Sequence, residues 1–303
     1  MTPHPIRTIS EYHRLRGLPK PEHPLMSVIH LDEVEWFSAD EQTSWVFDFY
    51  LIALKRNLGA RVKYKYGQQN YDFDEGVMFF IAPQQVFSVE TDGDYTLSGW
   101  MLLIHPDFLW QSALTKKIKH YDFFSYSAHE ALHLSDKEEA QIISIFQIIQ
   151  QEYSAAIDKF SQPLIIAQLE VLLNYADRFY HRQFITRKIT NHTILTRLEA
   201  ILEAYFGQEH SPEKGLPTVQ HIAEQLNVSP NYLSGLLKTL TGQSTQQHIH
   251  EKLIEKAKEK LSATNVSVGE IAYGLGFEHS QSFSKLFKTK TNVSPSEYRR
   301  SFD

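Results

Sequence analysis

The chain of 303 residues contains no cysteine. Disulfides, thiolate nucleophiles and thiolate-held zinc are thereby excluded, and a reducing compartment suits such a sequence. Long apolar runs are missing too. No stretch reaches the roughly 18 uninterrupted apolar residues of a membrane helix, and the opening segment "MTPHPIRTISEYHRLRGLPKPEHPLM" lacks an apolar core of signal-peptide length. The expectation is a cytoplasmic protein that engages no membrane. A surplus of positive charge is also absent. From Thr190 onward twelve Lys and Arg stand against twelve Asp and Glu, with 18 against 24 before it, so the net charge of −6 belongs to the N-terminal part. A neutral C-terminal part lacks the strongly basic footprint that nucleic-acid binding often shows. There is no phosphate-cradling glycine loop and no nucleophilic triad, so no catalytic residue, cofactor or metal is assigned.

What is present is ordinary globular composition, 42% hydrophobic and 22% charged, at a length sufficient for two domains. Between residues 44 and 104 the stretches "ARVKYKY", "VMFFI", "QVFSVE" and "YTLSGWMLLI" are rich in Val, Ile, Tyr and Phe. They are divided by turn signals at Tyr66-Gly67, Asp74-Glu75-Gly76, Ala82-Pro83 and Asp92-Gly93-Asp94. Close-spaced short strands without helical patterns between them predict an antiparallel barrel or sandwich. From Ser135 the pattern turns helical, with Ser135 and Glu138 spaced as a capping box and Ile142, Ile145, Phe146 and Ile149 on one face. A second helix is expected from Pro163 to Phe184. This pair serves either as a subunit contact or as cover for the strands' own core. The polar "TRKITNHT" reads as a linker, giving domains 1–185 and 193–303 joined through 186–192.

The C-terminal part carries an internal duplication. Ile222-Ala223 matches Ile271-Ala272, Leu226 matches Leu275 and Val228 matches Phe277, all 49 residues apart. One residue is then gained, so that Leu233, Leu236, Leu237 and Lys238 match Phe283, Leu286, Phe287 and Lys288 at a spacing of 50. Each copy reads helix, tight turn, helix. Thr218 and the Ser267/Glu270 box start the leading helices, and Asn227 or Gly276 can take the left-handed conformation that stops them. Ser229-Pro230 restarts a helix. This is a helix-turn-helix, whose second helix can lie in the major groove of DNA. The apolar stripe leaves Asn231, Ser234, Gly235 and Lys238 outward in the first copy, and Ser280, Gln281, Ser284, Lys285 and Lys288 in the second. Asn and Gln pair with adenine edges and Lys with guanine, whereas a Lys further along a helix meets phosphate. Between the copies, Ser244 and Gln247 open a helix through "HIHEKLIEKAKEKLS", a rod that can hold the two units about one DNA turn, ~34 Å, apart.

With these motifs in view, "IAYGLGFEHSQSFSKLFKTKTNVSPSEYRRSF" resembles the C-terminal signature of the AraC-type family of bacterial transcription regulators, a likeness spanning roughly residues 193 to 302. The resemblance implies two recognition helices in successive major grooves, with Asn231, Ser234, Ser280, Gln281, Ser284 and Lys285 as readers. Two positions depart from the family pattern. Gly235 stands where an Arg is common, which weakens base reading by the first unit, and Asn292 replaces a usual Gly, a change that Asn tolerates at a left-handed position. The N-terminal part is similar to the cupin-like sensor barrel and helical dimerisation segment of such regulators. The implied fold class is thus α+β, a cupin-like antiparallel β-barrel with a helical pair followed by an all-α double helix-turn-helix domain. The implied partners are double-stranded DNA, an unidentified small-molecule effector, a second copy of the chain and RNA polymerase.

A metal-binding cupin would show a His-x-His near the start of its barrel, and "YKYGQQNYDFDEGVMFF" has none. An organic effector is expected instead, with Tyr64, Tyr66 and Trp100 as candidates to line its site. "HEALH", His129 to His133, matches a zinc-protease pattern that needs both His on one helical turn; here the helix start at Ser135 falls after it. Three functions remain: an effector-controlled regulator of transcription, which the resemblance favours, a DNA-binding adaptor whose barrel senses nothing, and a cupin enzyme fused to a DNA-binding module.

Overall fold

A computed structural model describes residues 3–34, 43–56, 76–89, 98–127, 130–155, 158–207 and 215–302, and the account below concerns these. The strand expected over residues 60–66, the Asp92-Gly93-Asp94 turn, and Tyr64 and Tyr66 lie outside them. The chain divides into two compact units, Met1–Thr186 and Arg187–Asp303.

The first unit runs β1 (His4–Ile6), α1 (Ile9–Leu15), β2 (Met26–His30), β3 (Thr43–Phe47), β4 (Tyr50–Arg56), β5 (Val77–Ile81), β6 (Val86–Val89), β7 (Ser98–Ile104), α2 (Leu114–Lys117), β8 (Leu132–His133), α3 (Asp136–Ser154) and α4 (Ser161–Thr186). Among the described residues the strands form two sheets and no closed barrel. One has the order β1-β3-β6 and the other β2-β7-β4-β5-β8. The larger sheet is antiparallel throughout, whereas β1 pairs with β3 in parallel. Its inner face carries Leu51 and Ala53 of β4, Val77, Phe79 and Ile81 of β5, and Met101 and Leu103 of β7, in one cluster with Ile6, Trp45 and Phe47 of the smaller sheet. The opposite face lies under the helices: Trp100 packs on Phe146 of α3 with ring centroids 5.8 Å apart, and Phe80 on Tyr180 of α4 at 6.3 Å. Cover on both faces explains why β4, β5 and β7 read as continuous apolar runs rather than alternating ones.

The helical pair therefore covers the sheet. The Ser135/Glu138 capping box forms, Ser135 N–H donating to Glu138 Oε2 at 2.9 Å. Arg182 of α4 donates to Glu138 and to the His133 carbonyl, locking α4 to the start of α3. Trp100 lies on the helix side of the sheet, tilted against His30 with ring centroids 3.9 Å apart and packed on Phe146 of α3. The protease pattern also fails on geometry. Glu130 is buried and accepts from Ser127 N–H, while His133 lies in β8, so the two do not share a helical turn; His129 lies outside the described residues.

The second unit is all helical: α5 (Lys188–Gly207), α6 (Val219–Leu226), α7 (Pro230–Thr241), α8 (Thr245–Ala263), α9 (Val268–Gly274), α10 (Ser280–Thr291) and α11 (Pro295–Arg300). Most of the expected linker is in fact helix, since α4 reaches Thr186 and α5 begins at Lys188. No helix among the described residues is long and apolar enough to cross a membrane.

Candidate nucleic-acid interface

Both bihelical copies are built by the same local chemistry. Thr218 caps α6 by accepting from His221 N–H, and Ser267 caps α9 within a capping box closed by Glu270. Asn227 then takes φ 56° and Gly276 φ 92°. At the corresponding point of each turn Val228 N–H donates to Ala223 O and Phe277 N–H to Ala272 O, both at 3.0 Å. The two turns are thus equivalent in backbone bonding, yet they differ in what they allow. An added Cβ at Gly276 would meet the Gly215 carbonyl oxygen at 2.3 Å, because the loop before α6 passes directly over this turn. Glycine is required there both for its φ and for the approach. Phe277 plugs the second turn against Phe283, ring centroids 5.5 Å apart, while Val228 in the first is only half-buried.

The second helices start one residue later relative to the turn in the second copy, which accounts for the shift in spacing. Ser229 caps α7, accepting from Tyr232 N–H at 3.2 Å with Pro230 next, whereas His279 precedes α10 without a side-chain cap. Both helices end on a left-handed residue whose N–H returns to the outward Lys: Gly242 to Lys238 O at 3.0 Å and Asn292 to Lys288 O at 2.8 Å. Asn292 does what the usual Gly would do. Inward, Leu233, Leu236, Leu237, Phe283 and Phe287 are fully buried, while Leu240 and Leu286 are half-buried.

Outward, Asn231, Lys238, Gln281, Lys285 and Lys288 are exposed, and Gly235, Ser280 and Ser284 are half-buried. Asn231, Gly235 and Lys238 fall on one helical face, and Gln281, Lys285 and Lys288 repeat it 50 residues on. Ser234 departs from the expectation. It is half-buried and its hydroxyl pairs with that of the buried Thr245 at 3.1 Å, so it ties α7 to α8. Ser282 and Lys290 of α10 are exposed as well.

The connecting helix α8 has 19 residues, about 28 Å at 1.5 Å each. Two of its lysines are engaged within the unit. Lys252 and Lys256 each reach Glu203 of α5 at 2.7 Å, and their hydrogen bonds hold the Glu203 carboxyl down at about 2. Arg299 of α11 donates to the Val266 carbonyl at 2.5 Å and closes the second copy onto the end of α8. Glu297 in the α11 capping box is held below the usual carboxylate range by hydrogen bonds from Ser294, with the Lys288 charge adding to them.

A helix-turn-helix domain family matches residues 222–301. The raffinose operon transcriptional regulatory protein RafR of Pediococcus pentosaceus is 40% identical over 84 residues, 28% of this chain and 30% of that one. The HTH-type transcriptional activator RhaS of Enterobacter sp. (strain 638) is 26% identical over 259 residues, 84% of this chain and 87% of RhaS. Residues 222–301 are thus similar to the helix-turn-helix domain found in known transcription regulators. Among solved structures, the C-terminal domain of AraT, a response regulator from Geobacillus stearothermophilus, is similar at 35% identity over 36% of this chain and 84% of that one, TM-score 0.32. The chain spans less than a third of the length of RafR. Within this helix-turn-helix domain the two outward faces are chemically unequal. The second offers Gln281 and two cations, whereas the first offers Asn231, a glycine and one cation.

Proposed function

We propose that the chain is a sequence-specific DNA-binding regulator of transcription, with α7 and α10 reading successive major grooves of duplex DNA. The observation that carries this is the matched pair of outward faces, Asn231/Gly235/Lys238 and Gln281/Lys285/Lys288, on two identically turned supports. Base reading is assigned to Asn231, Ser280, Gln281, Ser284 and Lys285, phosphate contact to Lys238 and Lys288, and Gly235 leaves the first helix with a smaller share of the specificity. The relatives' printed roles as regulators and activators favour a non-enzymatic protein.

The N-terminal unit is read as a sensor for a small organic effector and as the place where two copies of the chain meet. Support for the second comes from Leu164 and Val171, one heptad apart on α4, and Ile148 on α3, all exposed although apolar. Effector binding then changes which DNA half-sites a dimer occupies, and RNA polymerase is the machinery that responds. Selecting bound duplexes from a random pool with the full chain, followed by footprinting, tests the DNA reading. Protection of two neighbouring major-groove segments is expected; affinity no better than that of an inert control protein overturns it.

A further inference from the structure

The two copies of the duplicated motif seat their second helices differently, and the contrast falls beside the outward face itself. In α7 the Ser234 hydroxyl pairs with that of Thr245, the first residue of α8, at 3.1 Å. Thr245 is fully buried, so it meets no partner outside the chain. Ser234 lies between Asn231 and Lys238 on their side of the helix. A second tie follows near the C-terminal end of α7. The Thr241 hydroxyl donates to Leu237 O at 2.8 Å and, with its hydrogen so used, accepts from His248 Nε2 of α8 at 2.9 Å.

Fifty residues on, the counterparts have other chemistry: Pro295 stands for Thr245 and Tyr298 for His248. The proline side chain has nothing to bond with, and among the described residues the hydroxyl of Ser284, the counterpart of Ser234, has no hydrogen-bond partner. Thr291 keeps the bond within its own helix, to Phe287 O at 2.8 Å, but Tyr298 packs its ring on that of Phe287 with centroids 5.5 Å apart. The second copy is therefore seated through rings, whereas α7 is fixed to α8 by directional bonds.

Apolar contact tolerates a small rotation and hydrogen bonds do not. At the ~6 Å radius of a helix with its side chains, a turn of about 10° about the axis carries a side-chain tip about 1 Å. That takes a hydrogen bond of about 2.9 Å to a base edge out of range. The first helix can least absorb such a shift, because Gly235 leaves its face with Asn231 and Lys238 as the exposed side chains.

We infer that Ser234 and Thr245 are positioning residues for DNA reading: their bond sets the rotation of α7 on α8, and through it the base preference of the first unit, without either hydroxyl touching DNA. This rests on the proposed role of α7 and α10 as reading helices and adds a pair that lies behind the contacts.

The test uses the full chain, with fluorescence anisotropy on selected duplexes and selection from a random pool, and with Asn231→Ala and Gln281→Ala marking the sub-sites of α7 and α10. Thr245→Val removes the hydroxyl and keeps the shape, whereas Thr245→Ser keeps the hydroxyl. Thr245→Val is expected to weaken binding by about fivefold or more, the loss of one hydrogen bond, and to broaden base preference at the α7 sub-site alone. Thr245→Ser should retain the parent's preference. Ser234→Ala should reproduce Thr245→Val, and adding it to Thr245→Val should change affinity by less than about twofold, because the same bond is lost only once. Affinities are referred to the folded fraction from urea titration. Unchanged preference once unfolding is accounted for, or equal broadening at both sub-sites, assigns the pair to stability and overturns the inference. A further loss from Ser234→Ala in the Thr245→Val background makes Ser234 itself a reader and overturns it too. Should Thr245→Val not fold, Thr245→Ala, which asks for no new contact, takes its place. A parent that binds duplexes no better than an inert protein overturns the DNA reading and the inference with it; a parent that binds while Thr245→Val matches it overturns the inference alone.

Discussion

At the scale of single residues, what matters is where the backbone or a charge is held against its preference. Gly276 is held at φ 92° with the Gly215 carbonyl where a Cβ would be. Gly276→Ala is therefore expected to cost about 2–4 kcal/mol by denaturant titration, combining a disfavoured conformation with displaced backbone. Asn227→Gly, at φ 56° in the sister turn, should change stability by only a few tenths of a kcal/mol, because both residues tolerate that conformation. Lys55 is the residue held against its charge. Its folded-state value of about 7 lies below the 10.5 of an unperturbed lysine, so between those two pH values the unfolded chain binds the extra proton. Stability should rise from pH 7 towards 10.5 and carry no Lys55 dependence below 7, where both states are protonated. Lys55→Met, which keeps the volume and removes the titrating group, should lose that slope in pH-resolved thermal melts.

At the scale of elements, α7 and α10 are proposed to present a base-facing end and a phosphate-facing end, and the two can be told apart. Lys285→Ala is expected to relax sequence preference in a selection experiment, whereas Lys288→Ala should weaken all duplexes about equally and reduce the slope of log affinity against log salt by about one. Identical specificity profiles for Lys285→Ala and the parent would remove Lys285 from the readers. These helices were legible in the sequence because local signals agreed: caps at Thr218, Ser229 and Ser267, stops at Asn227 and Gly276, and a repeated apolar stripe. Ser234 was misplaced because periodicity cannot see a neighbour, and Thr245, which takes its hydroxyl, is 11 residues away. In the first unit β1, α1 and β2 were passed over. His4–Ile6 is three residues long and owes its existence to pairing with Trp45–Phe47, a partner that no local pattern reveals. The face on which Trp100 lies is not legible for a related reason, since a strand apolar on both sides does not announce which side meets the helices.

At the scale of the whole molecule, the chain divides into two compact units. The second unit has its own core, running from Leu198 and Leu202 of α5 through Leu236 and Leu253 to Phe283 and Phe287, and it carries both reading helices. A fragment of residues 187–303 is therefore expected to fold and to select the same base sequence as the full chain. What it loses is pairing. If two copies meet through the first unit, binding of the second copy to an adjacent half-site becomes intramolecular, and affinity for a two-site duplex exceeds that of the fragment by about 10²–10⁴ when the linker spans the sites. On a duplex with a single site the two proteins should differ little. Fluorescence anisotropy on one-site and two-site duplexes at a fixed salt concentration measures both ratios. Equal affinities of full chain and fragment on the two-site duplex would leave the exposed Leu164 and Val171 without a role in assembly, while a fragment with altered base preference would show that the first unit takes part in reading DNA.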